Sequence, residues 1–175
     1  MLRHVVTTLA ASPGIDEVSV LTGMNISIPQ GCARISDSDF ELNAAVARAA
    51  RELRARGRAD TLLIVHADLP FVTPADIDIL VAACREEAVV AASDWTGTGT
   101  NALAFPLARD VTPRYGPASL AAHREEARAV NLPFVLVRRS GLAEDIDEPA
   151  QLEWLMERGG ERYAFVEAAT KGAPR

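Results

Sequence analysis

The run Thr61-Leu62-Leu63-Ile64-Val65, followed closely by Asp68-Leu69-Pro70 and then Thr73-Pro74-Ala75-Asp76, constrains the fold more than any other stretch. An apolar run without polar alternation suits a strand covered on both faces, as in a parallel sheet. Thr73 reads as a helix N-cap, Pro74 as the first helical residue, and Asp76 as an acidic group at the positive helix end. That helix is expected to reach about Glu86. A buried strand feeding a capped helix is one βα unit, and such units require helices layered on the sheet.

The rest of the chain repeats the alternation. Leu2 to Ala11 reads as a helix stopped by Ser12-Pro13-Gly14, and Val18-Ser19-Val20-Leu21 as a short strand. Asn25 to Asp39 reads mostly as loop, with Ile35 in a short strand inside it. Leu42 to Arg56 is an alanine-rich helix with Gly57 as its C-cap. Ala88 to Ala92, Ala102 to Phe105 and Phe134 to Val137 read as strands. A helix is expected from Gly116-Pro117 to about Val130, and a last one opening at Asp147-Glu148-Pro149 and running to about Arg158. The tail from Lys171 is expected to fray. No repeat, low-complexity tract or linker interrupts this pattern, so residues 1–175 read as a single α/β domain.

Composition narrows the function. A net charge of −6 on 175 residues argues against non-specific nucleic-acid binding, which needs a basic face. No apolar run approaches the ~20 residues that span a bilayer, and no signal pattern opens the chain. Cys32 and Cys84 are too few and too far apart for a disulfide framework or zinc site, and read as buried free thiols in a reducing cytoplasm.

Chemistry concentrates where strands are expected to end. Asp145 and Asp147 are two residues apart, so an extended backbone projects both to one side, roughly 6.6 Å apart. At an effective dielectric near 20 they repel by about 2.5 kcal/mol, which a divalent cation would convert to attraction. Oxygen-only ligands favour Mg²⁺ or Mn²⁺. Asp147 can also be explained as a helix N-cap, which leaves Asp145 without a structural task. Asp68 follows a strand directly, where ligands bind in open α/β sheets, and is either a metal ligand or a cap on the Leu69-Pro70 turn. His66 reads as a packed or hydrogen-bonded side chain. Thr98-Gly99-Thr100 can lay N–H and hydroxyl groups against an anion, or form a plain hairpin turn. Gly116 to Ser119 suits a phosphate or carboxylate at a helix start, or a helix start with no ligand. Arg114 is either a cationic contact to the same anion or a solvated residue.

Ala67-Asp68-Leu69-Pro70, Gly97-Thr98-Gly99-Thr100-Asn101-Ala102-Leu103, Arg114-Tyr115-Gly116-Pro117-Ala118-Ser119, Ala122-His123 and Gly141-Leu142 through Asp145-Ile146-Asp147-Glu148-Pro149 occur in this order. Together they resemble the 2-phospho-L-lactate guanylyltransferase family of coenzyme F420 biosynthesis. Leu42-Asn43-Ala44-Ala45 is a weaker match, and the likeness covers roughly residues 40 to 157. The resemblance implies a nucleotidyltransferase of the molybdenum-cofactor guanylyltransferase type. The implied fold is a Rossmann-like three-layer α/β/α sandwich of the nucleotide-diphospho-sugar transferase kind. It implies joining of GTP to a small phosphorylated acid (2-phospho-L-lactate, phosphoenolpyruvate or 3-phosphoglycerate) with release of pyrophosphate. It places the family's Mg²⁺-binding aspartates on Asp68, Asp145 and Asp147, and its contacts to the phosphorylated acid on Thr100, Gly116 and Ser119.

The chain departs from the family pattern in two places. It starts at Met1-Leu2-Arg3-His4, within the helix that follows the family's first strand and basic phosphate loop, and Glu41 stands where a glycine is expected. The expectation is therefore an N-terminally short domain that lacks the first strand, with an open sheet edge that a second copy could pair to form a homodimer. The alternative is a catalytically silent homologue that binds a phospho-acid or a protein partner.

Overall fold

The computed structural model describes residues 1–36, 41–57, 59–85, 87–147 and 149–163. Its helices are α1 (Leu2–Ala10), α2 (Leu42–Arg56), α3 (Pro74–Cys84), α4 (Ser119–Ala129), α5 (Ser140–Ala143) and α6 (Pro149–Gly159), followed by a 3₁₀ turn, Gly160–Tyr163. Its strands are β1 (Ser19–Thr22), β2 (Ala33–Ser36), β3 (Thr61–Val65), β4 (Val89–Ala92), β5 (Ala102–Pro106) and β6 (Phe134–Val137). Strands β3, β5, β4 and β6 form one sheet in that order, and β1 pairs with β2 in a separate parallel pair.

Strand direction decides where a site can form. β5 runs antiparallel to both β3 and β4, and β4 runs parallel to β6. Thus β3, β4 and β6 all deliver their carboxyl ends to one edge, and β5 starts from it. That edge collects the Asp68 segment, the loop from Ser93 to Asn101, and the segment from Arg138 to Asp147. A shared carboxyl edge is where open α/β sheets bind ligands.

Strand alternation splits the core into two halves. Val90, Ala92, Ala102 and Ala104 pack with Ile77, Leu80 and Cys84 of α3 and Val5 of α1. Val89, Ala91, Leu103 and Phe105 face the other way, onto Ala50 of α2 and Leu120 and Ala127 of α4. The result is helices on both faces of a sheet, the layering the sequence implies. Each fully buried Leu, Val or Phe contributes about 1.5–3 kcal/mol of apolar burial, so the two clusters hold the central strands firmly.

Several expectations need revision. β3 is not sandwiched in a parallel sheet: its one partner among the described residues is antiparallel β5, and its residues are half-buried. The apolar run reflects the cores above and below it, not strand neighbours on both sides. The helix expected from Gly116-Pro117 starts at Ser119. Gly116 (φ 135°) and Ala118 (φ 56°) first turn the chain through conformations that no helix continues. α3 stops at Cys84 rather than near Glu86, and β1 is shifted to Ser19–Thr22. The last helix begins at Pro149 and Glu148 lies outside the described residues; Asp147 donates its backbone N–H to the Gln151 side chain at 2.7 Å. Cys84 is buried and Cys32 half-buried, both free thiols. The tail from Lys171 lies outside the described residues. Among the described residues no helix is long and apolar enough to cross a membrane.

Candidate functional site

Two segments must approach each other before Asp68 and Asp145 can act together, and buried Asp76 ties them. Its carboxylate accepts from the Thr73 backbone N–H at 3.0 Å and the Thr73 hydroxyl at 2.7 Å, while the Thr73 hydroxyl caps the Asp76 N–H. This is a reciprocal capping box at the start of α3. The same carboxylate accepts from Nε of Arg139 at 2.7 Å, which joins the β3–α3 connection to the segment after β6. Gly141 permits the closeness: a Cβ there would stand 2.5 Å from Asp76 Oδ2 and 2.6 Å from the Phe71 carbonyl oxygen. From the far side, the Tyr163 hydroxyl donates to the Pro70 carbonyl at 2.9 Å.

The carboxylates held this way are not at rest. Burial raises the Asp145 carboxyl above the usual aspartate range, and the charges of Asp147 and Asp68 push it further up. Hydrogen bonds from its own backbone and the Asn101 side chain pull the other way. Asp68 Oδ1 and Glu144 Oε2 are buried with no hydrogen-bond partner among the described residues. An unpaired buried carboxylate oxygen costs stability unless a cation or donor arrives, so this cluster is poised for a positive ligand. Among the described residues no three His, Cys, Asp or Glu side chains close into a ready-made metal cluster. The all-oxygen donor set still fits Mg²⁺, which characteristically takes one or two carboxylates and completes its shell with waters and substrate phosphates.

Beside the carboxylates sits a neutral polar network around Thr100, Ser119 and His123. Thr100 and Ser119 are each 3% exposed and His123 is fully buried. The Ser119 hydroxyl donates to Thr100 Oγ1 at 3.1 Å, and His123 Nδ1 lies 3.0 Å from the same oxygen. His123 Nε2 accepts from the Arg114 backbone N–H at 2.9 Å. Burial pulls the imidazole pKa down to about 4, with Glu126 raising it and Arg114 lowering it as smaller influences. Thr100 is followed by Asn101, whose side-chain amide donates to the Leu142 carbonyl at 3.1 Å and bonds Asp145. The neutral network and the acidic cluster are thus one continuous site.

The loop Asp94–Gly99 is folded around Asp94, which accepts from the Thr98 N–H at 3.0 Å and the Thr96 hydroxyl at 2.8 Å. The Thr98 carbonyl accepts from the Leu120 N–H at 3.1 Å, docking the loop on the first turn of α4. Asn43 clamps the Arg114–Gly116 segment by accepting from the Tyr115 N–H at 2.7 Å and donating to the Tyr115 carbonyl at 2.8 Å. The Tyr115 ring packs 5.4 Å from His66 and 5.1 Å from His123. Burial pushes the Tyr115 phenol up, and both its hydroxyl and His66 Nε2 are buried without a hydrogen-bond partner among the described residues.

The structure therefore gathers Thr100 with Ser119, and puts Asp145 under the charge of Asp68 and Asp147. Gly116 lies exposed at the turn before α4. Arg114 is engaged differently from a free cationic contact: its guanidinium pairs with Glu126 Oε2 at 3.1 Å, and its main contribution to the network is its backbone N–H. His66 packs as expected, although its ring Nε2 is unpartnered among the described residues. Sequence reasoning passed over His123, Asp94, Asn43, Asn101 and Tyr115 as site residues. Signals for His123 and Asn43 lay in the Ala122-His123 and Leu42-Asn43 matches. Asp94 carried none, because its role depends on a loop closing back on it.

A family model described as a MobA-like NTP transferase domain matches residues 1–143. A phosphoenolpyruvate guanylyltransferase of Sphaerobacter thermophilus is 38% identical over 159 residues, covering 89% of this chain and 76% of that protein. One of Chloroflexus aurantiacus is 32% identical, covering 87% and 77%. Among solved structures, a protein of Desulfovibrio desulfuricans assigned to the nucleotide-diphospho-sugar transferases superposes with a TM-score of 0.72 at 10% identity, covering 97% of this chain and 80% of its own. The 2-C-methyl-D-erythritol 4-phosphate cytidylyltransferase of Thermus thermophilus superposes with a TM-score of 0.59 at 16% identity, covering 97% and 88%. These structural likenesses support the Rossmann-like α/β fold.

Proposed function

The chain belongs to the MobA-like NTP transferase domain family, and from that premise we propose that it is a guanylyltransferase joining GTP to phosphoenolpyruvate or a closely related phosphorylated acid. The observation that carries this reading is an acidic cluster with an unsatisfied carboxylate oxygen set against a neutral hydroxyl network on one sheet edge. An acidic pole for a cation and its phosphates, next to a pole of hydroxyl donors for a small anion, matches the two substrates of such a transfer. A place in coenzyme F420 biosynthesis, with 2-phospho-L-lactate or 3-phosphoglycerate as other acceptors, is consistent with the same site.

Asp68, Asp145 and Asp147 would hold Mg²⁺, which when bound neutralises charge on the triphosphate and the acceptor phosphate. Thr100, Ser119 and the backbone around Gly116 would bind the acceptor. An acceptor phosphate oxygen attacks the α-phosphorus of GTP in line; a new P–O–P linkage forms, and the bond to the β-phosphate bridging oxygen breaks, releasing pyrophosphate. The nucleophile is already an anion, so no general base is needed, and positioning supplies most of the effect. Arg114 adds positive charge nearby, partly offset by Glu126. A pyrophosphate-release assay with GTP, Mg²⁺ and each acid in turn tests the reading. Release dependent on one acid supports it and names the acceptor; a folded protein releasing nothing with any acid contradicts it.

A further inference from the structure

His123 lies outside the residues so far given a role toward substrate, yet it decides the polarity of Thr100. A backbone N–H can only donate, so the 2.9 Å contact from Arg114 N requires His123 Nε2 to be an unprotonated acceptor. A neutral imidazole then carries its one proton on Nδ1. Nδ1 is 3.0 Å from Thr100 Oγ1, and it must donate to that oxygen. Ser119 donates to the same oxygen at 3.1 Å. Two incoming hydrogen bonds fill both lone pairs of the Thr100 hydroxyl. Its own hydrogen is left to point elsewhere, and among the described residues no acceptor stands opposite it. Thr100 is nevertheless almost wholly buried, so an unused donor there calls for an acceptor from a ligand.

We propose that His123 is a positioning residue that, locked as its Nδ1–H tautomer by the Arg114 amide, commits the Thr100 hydroxyl to donate to the anionic acceptor. The proposal rests on the acceptor reading given above for its ligand, but not for the lock itself. A hydroxyl that already accepts two hydrogen bonds is polarised toward donation, and it offers no lone pair to a competing neutral donor. The site is thereby selective for an acceptor-only group such as a carboxylate or phosphate. The fully buried ring also sits 5.1 Å from Tyr115, which stops the imidazole from turning over. The charged groups that act on the ring are Glu126 and Arg114; they pair with each other and offset one another's influence on it.

The test has two independent arms. ¹⁵N imidazole spectra of the wild-type protein, with His123 assigned by its loss in His123→Gln, should give a protonated Nδ1 and an unprotonated Nε2 between pH 5 and 8. An Nε2–H tautomer or a doubly protonated ring would overturn the lock, whatever the activity. In the kinetic arm, His123→Asn keeps a donor near the Nδ1 position, whereas His123→Gln keeps an acceptor near Nε2 and loses that donor. The expected result is a KM for phosphoenolpyruvate raised about tenfold by His123→Gln and less than about threefold by His123→Asn, with the KM for GTP unchanged. In a Thr100→Val background, His123→Gln should add nothing further. Equal effects of Asn and Gln, or additivity with Thr100→Val, would reduce His123 to a packing residue. Absence of transfer by the wild type, with the Nδ1–H signal present, would instead sink the guanylyl-transfer reading and leave the lock standing.

Discussion

The two halves of the site are built on opposite energetic terms. Around Thr100, Ser119 and His123 each contact between side chains is a matched donor and acceptor, and the one titratable ring is kept neutral by burial. Around Asp68, Asp145 and Asp147 like charges converge, a carboxylate oxygen is left buried and unpaired among the described residues, and the Asp145 carboxyl is driven upward. Among the described residues, the first half lacks only an acceptor for the Thr100 hydroxyl hydrogen. The second is held together by its scaffold, Asp76 with Thr73, Arg139 and the Gly141 contact, against its own repulsion. Buried like charges persist only where the surrounding structure over-determines their positions, as these contacts do.

The acidic half is most sensitive at Asp68. Asp68→Ala should abolish Mg²⁺-dependent transfer, by at least about a thousandfold, while thermal unfolding shows the fold intact. Retained transfer would remove Asp68 from the acidic half. The neutral half should respond more gently. If Thr100 donates to the acceptor as proposed, Thr100→Val removes a hydrogen bond to a charged group worth about 1.5–3 kcal/mol, so kcat/KM for phosphoenolpyruvate should fall about 10- to 150-fold with the KM for GTP unchanged.

Stability should divide the halves with opposite signs. Asp145→Asn relieves repulsion from Asp147 and Asp68, so it should raise Tm by about 2–4 °C while transfer is lost. A fall in Tm would mean that Asp145 is ionically satisfied in the folded protein. On the neutral side, the folded pKa of His123 is near 4 against an ordinary 6.5. The unfolded chain therefore binds a proton that the folded one refuses between those values. The His123 contribution is fully present above pH 6.5 and is lost as pH falls toward 4, by about 1.4 kcal/mol per unit inside that window. Urea midpoints measured from about pH 7 to about pH 4 should show this slope in the wild type and a shallower one in His123→Gln. The smallest effect is expected at the edge: Asn43→Ala removes the exposed clamp on Tyr115, costing about 1 kcal/mol and raising the acceptor KM a few-fold.

Legibility in the sequence followed the range of the interactions concerned. The Thr73 cap with Pro74 opening α3, and the Gly57 cap on α2, are local and were readable to the residue; the Asp76 half of the capping box was read only as a charge at the positive helix end. For Asp68, Asp145 and Asp147 the sequence supplied only an expectation of a shared site, and the structure adds that Asp147 and Asp68 raise the Asp145 carboxyl. The start of α4 was misplaced by two residues, since Ala118 adopts a left-handed conformation that its side chain does not advertise. The placement of β3 depended on which strands pair with it, which an apolar run does not encode. The second task of Asp76, binding Arg139, joins residues far apart in the chain, and so does the Arg114–His123–Thr100 relay. Such contacts exist only once both sheet faces are packed.

The measurement that bears most directly on the two-pole account is ³¹P NMR of GTP, phosphoenolpyruvate and Mg²⁺ incubated with the wild-type protein and, in parallel, with Asp68→Asn. New diphosphate-linkage signals and pyrophosphate are expected with the wild type, and unchanged GTP with the variant. Equal transfer by Asp68→Asn, or unchanged GTP with folded wild-type protein, would contradict it.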